Sequence, residues 1–155
     1  MGLDNIVMIY NSEQEEYDNK IPKNISIKFE SVIDSNLIGL GNNFSSEYNF
    51  ISFSGKAYSW AVSTITDGKY NLYQDLKPNE LEQIYLCFER FLSDIGEFYQ
   101  DEITKIQCAY DNTMIVDNWI SYFIDNYIPS PKEIKGLKEL FRICYENNLS
   151  LYASY

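Results

Sequence analysis

The sequence predicts a single α+β domain, covering residues 1–155, in which an antiparallel sheet is packed on one face by about three helices. Strand-like runs occupy the first half of the chain, amphipathic helical patterns occupy the second half, and the tail 149–155 alternates again. Strands followed by helices is the element order of an α+β fold. A chain of 155 residues is near the commonest single-domain size and can bury a sizeable core.

The predicted strands come first. Residues 6–10 form a short apolar run, and residues 25–29 alternate strictly between apolar and polar side chains. Residues 48–53 and 58–65 are rich in aromatic and β-branched side chains, which favour strands. The tail is expected to return to the same sheet.

Three helices are predicted near 78–95, 114–127 and 131–147. Pro78 suits a first helical turn, and the apolar residues after it recur at helical spacing until Gly96. Ser130 and Glu133 form a capping-box pattern at the start of the last helix. Residues 97–112 fit neither period, so strand and irregular helix both stay open there.

The net charge of −11 argues against a general nucleic-acid binder, which needs clustered basic residues. Between positions 80 and 125, the sequence has ten carboxylates and only two basic residues, Arg90 and Lys105. This acidity is either an ordinary solvated surface or a face that attracts a basic protein partner. The residues expected to bind such a partner are Glu82, Glu89, Glu97, Asp101 and Glu102.

Catalytic motifs are scarce. A chain without histidine has no Ser-His-Asp or Cys-His arrangement, and no phosphate-binding P-loop motif occurs. We expect that the chain is not an enzyme and binds no cofactor. A Mg²⁺-dependent carboxylate site formed by Asp111, Asp117 and Asp125 is the remaining alternative.

The three cysteines, Cys87, Cys108 and Cys144, are widely separated, which predicts buried thiols rather than a zinc site. No stretch of the sequence resembles a membrane span or a secretory signal. The expected location is the cytoplasm.

A second constellation lies at Phe53-Ser54-Gly55-Lys56-Ala57-Tyr58-Ser59-Trp60. A glycine turn, the lysine charge and aromatic faces could hold an anionic, planar ligand such as a nucleotide, with Lys56, Tyr58, Trp60 and Arg142 as contacts. The alternative is a hairpin turn with a solvent-facing lysine, and an Arg142 that pairs with Glu139 or Glu146 on its own helix. Fourteen tyrosines favour a binding role in either case.

The opening Met1-Gly2-Leu3-Asp4-Asn5-Ile6-Val7-Met8, the Phe53-Ser54-Gly55-Lys56 segment and the closing Glu146-Asn147-Asn148-Leu149-Ser150-Leu151-Tyr152-Ala153-Ser154-Tyr155 resemble a group of small, uncharacterised phage and bacterial proteins. No mechanism is established for that group, so the resemblance carries no functional residue. It implies a mobile-element setting, where small proteins often neutralise toxins, defence effectors or defence signals. The first hypothesis is a non-catalytic inhibitor or immunity-type (anti-defence) protein that blocks a basic toxin, nuclease or defence protein. The alternative is a sponge that sequesters a nucleotide-derived signal without cleaving it.

Overall fold

The computed structural model describes residues 2–11, 13–30, 32, 40–41, 51–93, 129 and 131–155. Its elements, in chain order, are strands β1 (Asp4–Asn11) and β2 (Glu16–Asp18), helix α1 (Lys23–Ser26) with a 3-10 turn at Ile27–Phe29, strands β3 (Leu40–Gly41) and β4 (Ser52–Ser54), helices α2 (Gly55–Ile65), α3 (78–93) and α4 (Pro131–Glu146), and strand β5 (Ser150–Ser154). The fold is α+β, as the sequence predicts.

Strand β1 is the centre of the sheet, and every described pairing is antiparallel. The residues at 4–6 pair with β4 and also with β5, so these two strands lie on opposite edges of β1. The far end of β1 forms a hairpin with β2, and β3 extends the sheet beyond β4. Leu76 and Leu151 exchange two hydrogen bonds of 2.9 Å, which ties the segment before α3 to the outer edge of β5.

One face of β1 enters the core. Leu3, Asn5 and Val7 are buried, whereas the residues between them are exposed or half-buried. Helices α3 and α4 pack antiparallel against each other, because Phe88 meets Phe141 deep in the core while Tyr85 meets Tyr145 near the surface. Within the described residues, no helix combines the length and the apolar character needed to cross a membrane.

The structure confirms several predicted elements. The strand at 6–10 lies within β1, the tail forms β5 beside β1, and the last helix is α4. The predicted helix at 78–95 is helical throughout its described part, 78–93. The predicted helix at 114–127, the undecided segment 97–112, the helix stop at Gly96 and the Ser130 cap lie outside the described residues.

The prediction of a strand at 58–65 is wrong, because this segment belongs to α2. Tyr58, Ala61 and Val62 are buried and Ile65 packs against the same core, which is the i, i+3, i+4, i+7 spacing of a helix. The predicted hairpin turn at Ser54-Gly55-Lys56 is instead a direct junction from β4 into this helix. Tertiary burial of one helical stripe here outweighs the strand preference of aromatic and β-branched side chains.

The prediction of a strand at 25–29 is also wrong. The amides of Ile25 and Ser26 both donate to the carbonyl of Pro22 at 2.9 Å, which begins a helical turn. Ser26, Phe29 and Val32 are buried three residues apart, while Ile27 is 52% exposed. An alternating strand would have buried Ile27 together with Phe29, so the apparent period of two is a coincidence of sequence.

We predict that Gly55→Ala destabilises the fold. A methyl group at this position would overlap the side chain of Asn5, which is itself fully buried. The free energy of unfolding should fall by about 2 kcal/mol, the usual scale of overpacking in a tight core. Urea denaturation measures the change, and Gly2→Ala, where nothing lies within 4 Å, is the control. Equal stability of the two variants would contradict the close approach of Asn5 and Gly55.

Candidate functional site

Two tyrosines form a surface pair where α3 and α4 meet. The ring centroids of Tyr85 and Tyr145 are 5.4 Å apart, with 53° between the ring planes. Both rings pack partly on the core, above the fully buried contact of Phe88 with Phe141. The core contact fixes the distance between the two helices, so the tyrosine pair is held on a rigid base.

Carboxylates surround this pair. Helix α3 places Glu82 and Glu89 on the side of Tyr85, and α4 contributes Glu146, whose charge acts on Tyr145, and Glu139, whose charge acts on Tyr85. We call the set of Glu82, Tyr85, Glu89, Glu139, Tyr145 and Glu146 the acidic tyrosine face. Arg142 lies on the same helix and is bound at 2.8 Å by both Glu139 and Glu146.

The tyrosine hydroxyls respond to these charges. A hydrogen bond to Glu89, followed by burial and the charge of Glu89, raises the pKa of Tyr85 from 10.0 to about 12. Burial, followed by the charges of Glu146, Glu82 and Glu89, raises the pKa of Tyr145, and Arg142 opposes the shift only in part. The local potential around the pair is therefore negative.

A cleft adjoins the acidic tyrosine face and shares Glu82 and Tyr145 with it. Its volume is about 490 Å³. Tyr10 from the end of β1 lies on the wall, Lys77 and Asn79 lie at the start of α3, Asn148 lies in the connection between α4 and β5, and Ser150 is the first residue of β5. We call it the Tyr10–Tyr145 cleft.

Local backbone features set the rim of this cleft. After α4, the amide of Leu149 donates to the carbonyl of Cys144 at 2.8 Å, and Asn148 takes the left-handed conformation with φ 56°. This helix ending, in which asparagine replaces the usual glycine, turns the chain directly into β5. At the other rim, the amide of Lys77 donates to the Glu80 carboxylate at 3.0 Å and so caps the start of α3.

A second tyrosine cluster borders the cleft on the sheet. Tyr17 lies 5.1 Å from Tyr10 and 5.4 Å from Tyr152, measured between ring centroids. Burial raises the pKa of Tyr17, and Asp75 adds to the shift through its charge and a hydrogen bond. Asp75 also accepts a hydrogen bond from the amide of Ala153 at 2.9 Å, so the cluster is tied to β5.

The structure describes two of the five residues that are predicted to bind a partner. Glu82 and Glu89 are exposed and lie seven residues apart on one side of α3, as their spacing indicates. Leu86 lies between them on this side and is 42% exposed. Glu97, Asp101 and Glu102 fall outside the described residues, as do Asp111, Asp117 and Asp125.

The predicted ligand-binding residues do not converge in the described part of the chain. Lys56 is exposed, whereas Tyr58, about 200° further round α2, is buried and donates a 2.7 Å hydrogen bond to Glu133. Trp60 packs partly on the core. Arg142 is about 13 Å along α4 from Glu133 and makes the ion pairs with Glu139 and Glu146 that the alternative interpretation expected.

The cysteines and possible metal ligands add no reactive centre to the described residues. Cys144 is fully buried, and burial holds the pKa of its thiol well above the usual range. Cys87 is half-buried and not in a disulfide, and Cys108 lies outside the described residues. No three Cys, Asp or Glu side chains of the described segments gather in a group that could hold a metal ion.

Several site residues escape sequence reasoning, namely Tyr10, Lys77, Tyr145, Asn148 and Ser150. They come from three distant segments, and no local spacing connects them. The high tyrosine content of the sequence indicates a binding role, but it does not indicate which tyrosines form the site. The sequence indicates Glu139 and Glu146 only as partners of Arg142.

We predict that Glu89→Gln lowers the pKa of Tyr85 toward its ordinary value, because the variant removes both the charge and the strong acceptor. The folded-state pKa is raised, so the bond stabilises the fold fully below about pH 10 and is lost as the pH rises through about 12. NMR titration of the tyrosine ring carbons, assigned with Tyr85→Phe, measures the shift. Glu13→Gln, at an exposed position in the β1–β2 turn, is the control. A Tyr85 that titrates normally in the parent chain would contradict the bond.

Comparison of the chain with protein-family models, curated proteins and solved structures finds no match. The geometry, burial and charge of the acidic tyrosine face and the Tyr10–Tyr145 cleft are therefore the grounds for a proposed function. Because the face and the cleft share Glu82 and Tyr145, they form one continuous surface.

Proposed function

We propose that this protein is a non-catalytic binding protein that antagonises a basic macromolecular partner, engaging it through the acidic tyrosine face. The observation that supports this function is the Tyr85–Tyr145 pair with four carboxylates around it. The pair supplies rigid aromatic area, and the carboxylates supply the charge that would select lysine and arginine side chains.

The charge balance favours a cationic partner. Arg142 is the basic residue that acts on Tyr145, and it already pairs with Glu139 and Glu146. Glu82 and Glu89 are exposed on the neighbouring helix and leave the face with a net negative charge. Complementary charge of this kind accelerates association and rejects acidic competitors, even where each exposed ion pair adds little affinity.

The apolar part of the face supports the same function. Leu86 is 42% exposed between Glu82 and Glu89, and Tyr85, the residue before it on α3, contacts the ring of Tyr145. Aromatic rings attract ammonium and guanidinium groups, and tyrosine is enriched where proteins bind one another. A basic segment would therefore find both ion-pair partners and aromatic surface at one place.

The resemblance to small phage and bacterial proteins suggests which partners to consider, namely toxins, nucleases or defence proteins with a basic surface. In the sequence, Glu97, Asp101 and Glu102 follow α3 and would extend the negative charge. The alternative of a nucleotide sponge gains no support from α2, because Lys56 and Tyr58 lie on different sides of that helix.

We predict that the double variant Glu82→Lys, Glu89→Lys binds a ten-residue arginine-rich peptide about tenfold more weakly than the parent, or ~1.4 kcal/mol. The reversal replaces attraction with repulsion at the centre of the face. Titration calorimetry at low and physiological salt measures the affinity, and the parent should lose affinity more steeply than the variant as salt rises.

The control for this experiment is Asp4→Lys, Glu13→Lys, which changes the total charge equally at exposed positions outside the face. This control should retain most of the parental affinity. If the two double variants weaken binding equally, net charge alone is responsible and the face is not a binding site. If the parent does not bind the peptide, the proposed function is wrong.

A further inference from the structure

The Tyr10–Tyr145 cleft contains a buried polar group that the fold leaves unused. Ser150 lines the cleft and is 1% exposed, and its Oγ has no hydrogen-bond partner among the described residues. An unsatisfied buried hydroxyl costs free energy, so native structures usually pair such groups with protein, water or ligand. The buried Ser150 hydroxyl is therefore a candidate hydrogen-bonding group behind the inner wall of the cleft.

The sheet register directs Ser150 toward the aromatic wall. Ser150 lies opposite Met8 in the β1–β5 pair, and Tyr10 is two residues further along β1. Side chains at these positions share one face of the sheet, opposite the face on which Leu151 is buried. Ser150 and Tyr10 thus face the cleft together, and Tyr145 approaches from α4.

The charges around the cleft favour a cation. Glu82 lines the cleft, and Glu89 and Glu146 act on the hydroxyl of its Tyr145 wall. Asn148 also lines the cleft, and its side-chain amide includes an acceptor oxygen. Lys77 is the opposing charge in the lining, but it is exposed and its flexible stem lets the ammonium turn into solvent.

We propose that the Tyr10–Tyr145 cleft receives an arginine side chain of the basic partner, an inference that rests on the proposed function. The guanidinium group is planar, carries five donors and stacks on aromatic rings. Glu82 would pair with its charge, Ser150 Oγ and Asn148 would accept its remaining N–H groups, and the two tyrosines would contact its flat faces. A volume of about 490 Å³ exceeds one side chain, so part of the adjoining peptide enters as well.

The direct test is NMR titration of the isotopically labelled full-length chain with blocked arginine, N-acetyl-arginine amide. Saturable shifts are expected at Asn79, Asn148 and Ser150. Blocked citrulline, which has nearly the same shape without the charge, should bind at least tenfold more weakly. Inorganic phosphate, which probes an anion site at Lys77 and the start of α3, should produce no saturable shift at these residues.

Ser150→Ala is the matched variant, because it removes only the unpaired hydroxyl. It should weaken the binding of blocked arginine about fivefold, the effect of one lost hydrogen bond. Ser54→Ala, at an exposed serine of β4, is the control and should bind as the parent does. Tyr10→Phe, which keeps the ring, should bind nearly as the parent does, whereas Tyr10→Ala should bind at least fivefold more weakly.

Three results would overturn the inference: no shifts at the cleft with blocked arginine, equal affinity for citrulline, or phosphate binding that depends on Lys77. If the cleft fails in one of these ways but the arginine-rich peptide still binds and the Glu82, Glu89 reversal still weakens it, the proposed function stands without the cleft. If the peptide does not bind the parent chain at all, both proposals are wrong.

Discussion

The fold depends on the burial of Asn5 beneath the start of α2. Asn5 is fully buried in the central strand β1, and its Nδ2 donates a 2.9 Å hydrogen bond to the carbonyl of Leu72. The amide of Gly55 donates to the carbonyl of Leu3 at 2.9 Å, and the missing side chain of Gly55 leaves room for Asn5. One polar side chain therefore joins β1, the β4–α2 junction and the loop that leads to α3.

This arrangement places the candidate site at one end of the sheet. The loop held by Asn5 continues to Leu76, which bonds to Leu151 on the outer edge of β5 and sets the starting point of α3. After α4 ends at Glu146, the left-handed conformation of Asn148 leads the chain into β5 from the other side. The start of α3, the end of α4 and Tyr10 of β1 consequently meet around one cleft.

The parts of the fold that the sequence predicts are those where one local pattern decides the outcome. Helix α4 has a clear apolar stripe, and β5 alternates between two faces, so both are predictable. Residues 58–65 carry strand-favouring side chains but a helical burial pattern, and only the core decides between the two. The short alternating run at 25–29 is ambiguous for the same reason.

Prediction of the site is limited by distance along the chain. Glu82 and Glu89 are recognisable because they recur along one helix face, whereas Tyr10, Tyr145 and Ser150 come together only through strand pairing and helix packing. The unpaired state of Ser150 Oγ is a property of the folded chain alone. The charge pattern thus predicts two of the six residues of the acidic tyrosine face, and the other four are identified only from the tertiary structure.

The central claim is that the tyrosine pair and its carboxylates bind a cationic segment. The most direct measurement is intermolecular NOEs between the full-length chain and an arginine-rich peptide at low salt. We predict NOEs from arginine side-chain protons to the ring protons of Tyr85 and Tyr145, and loss of these signals in the double variant Glu82→Lys, Glu89→Lys. Peptide NOEs that reach other surfaces and neither of these rings would contradict it.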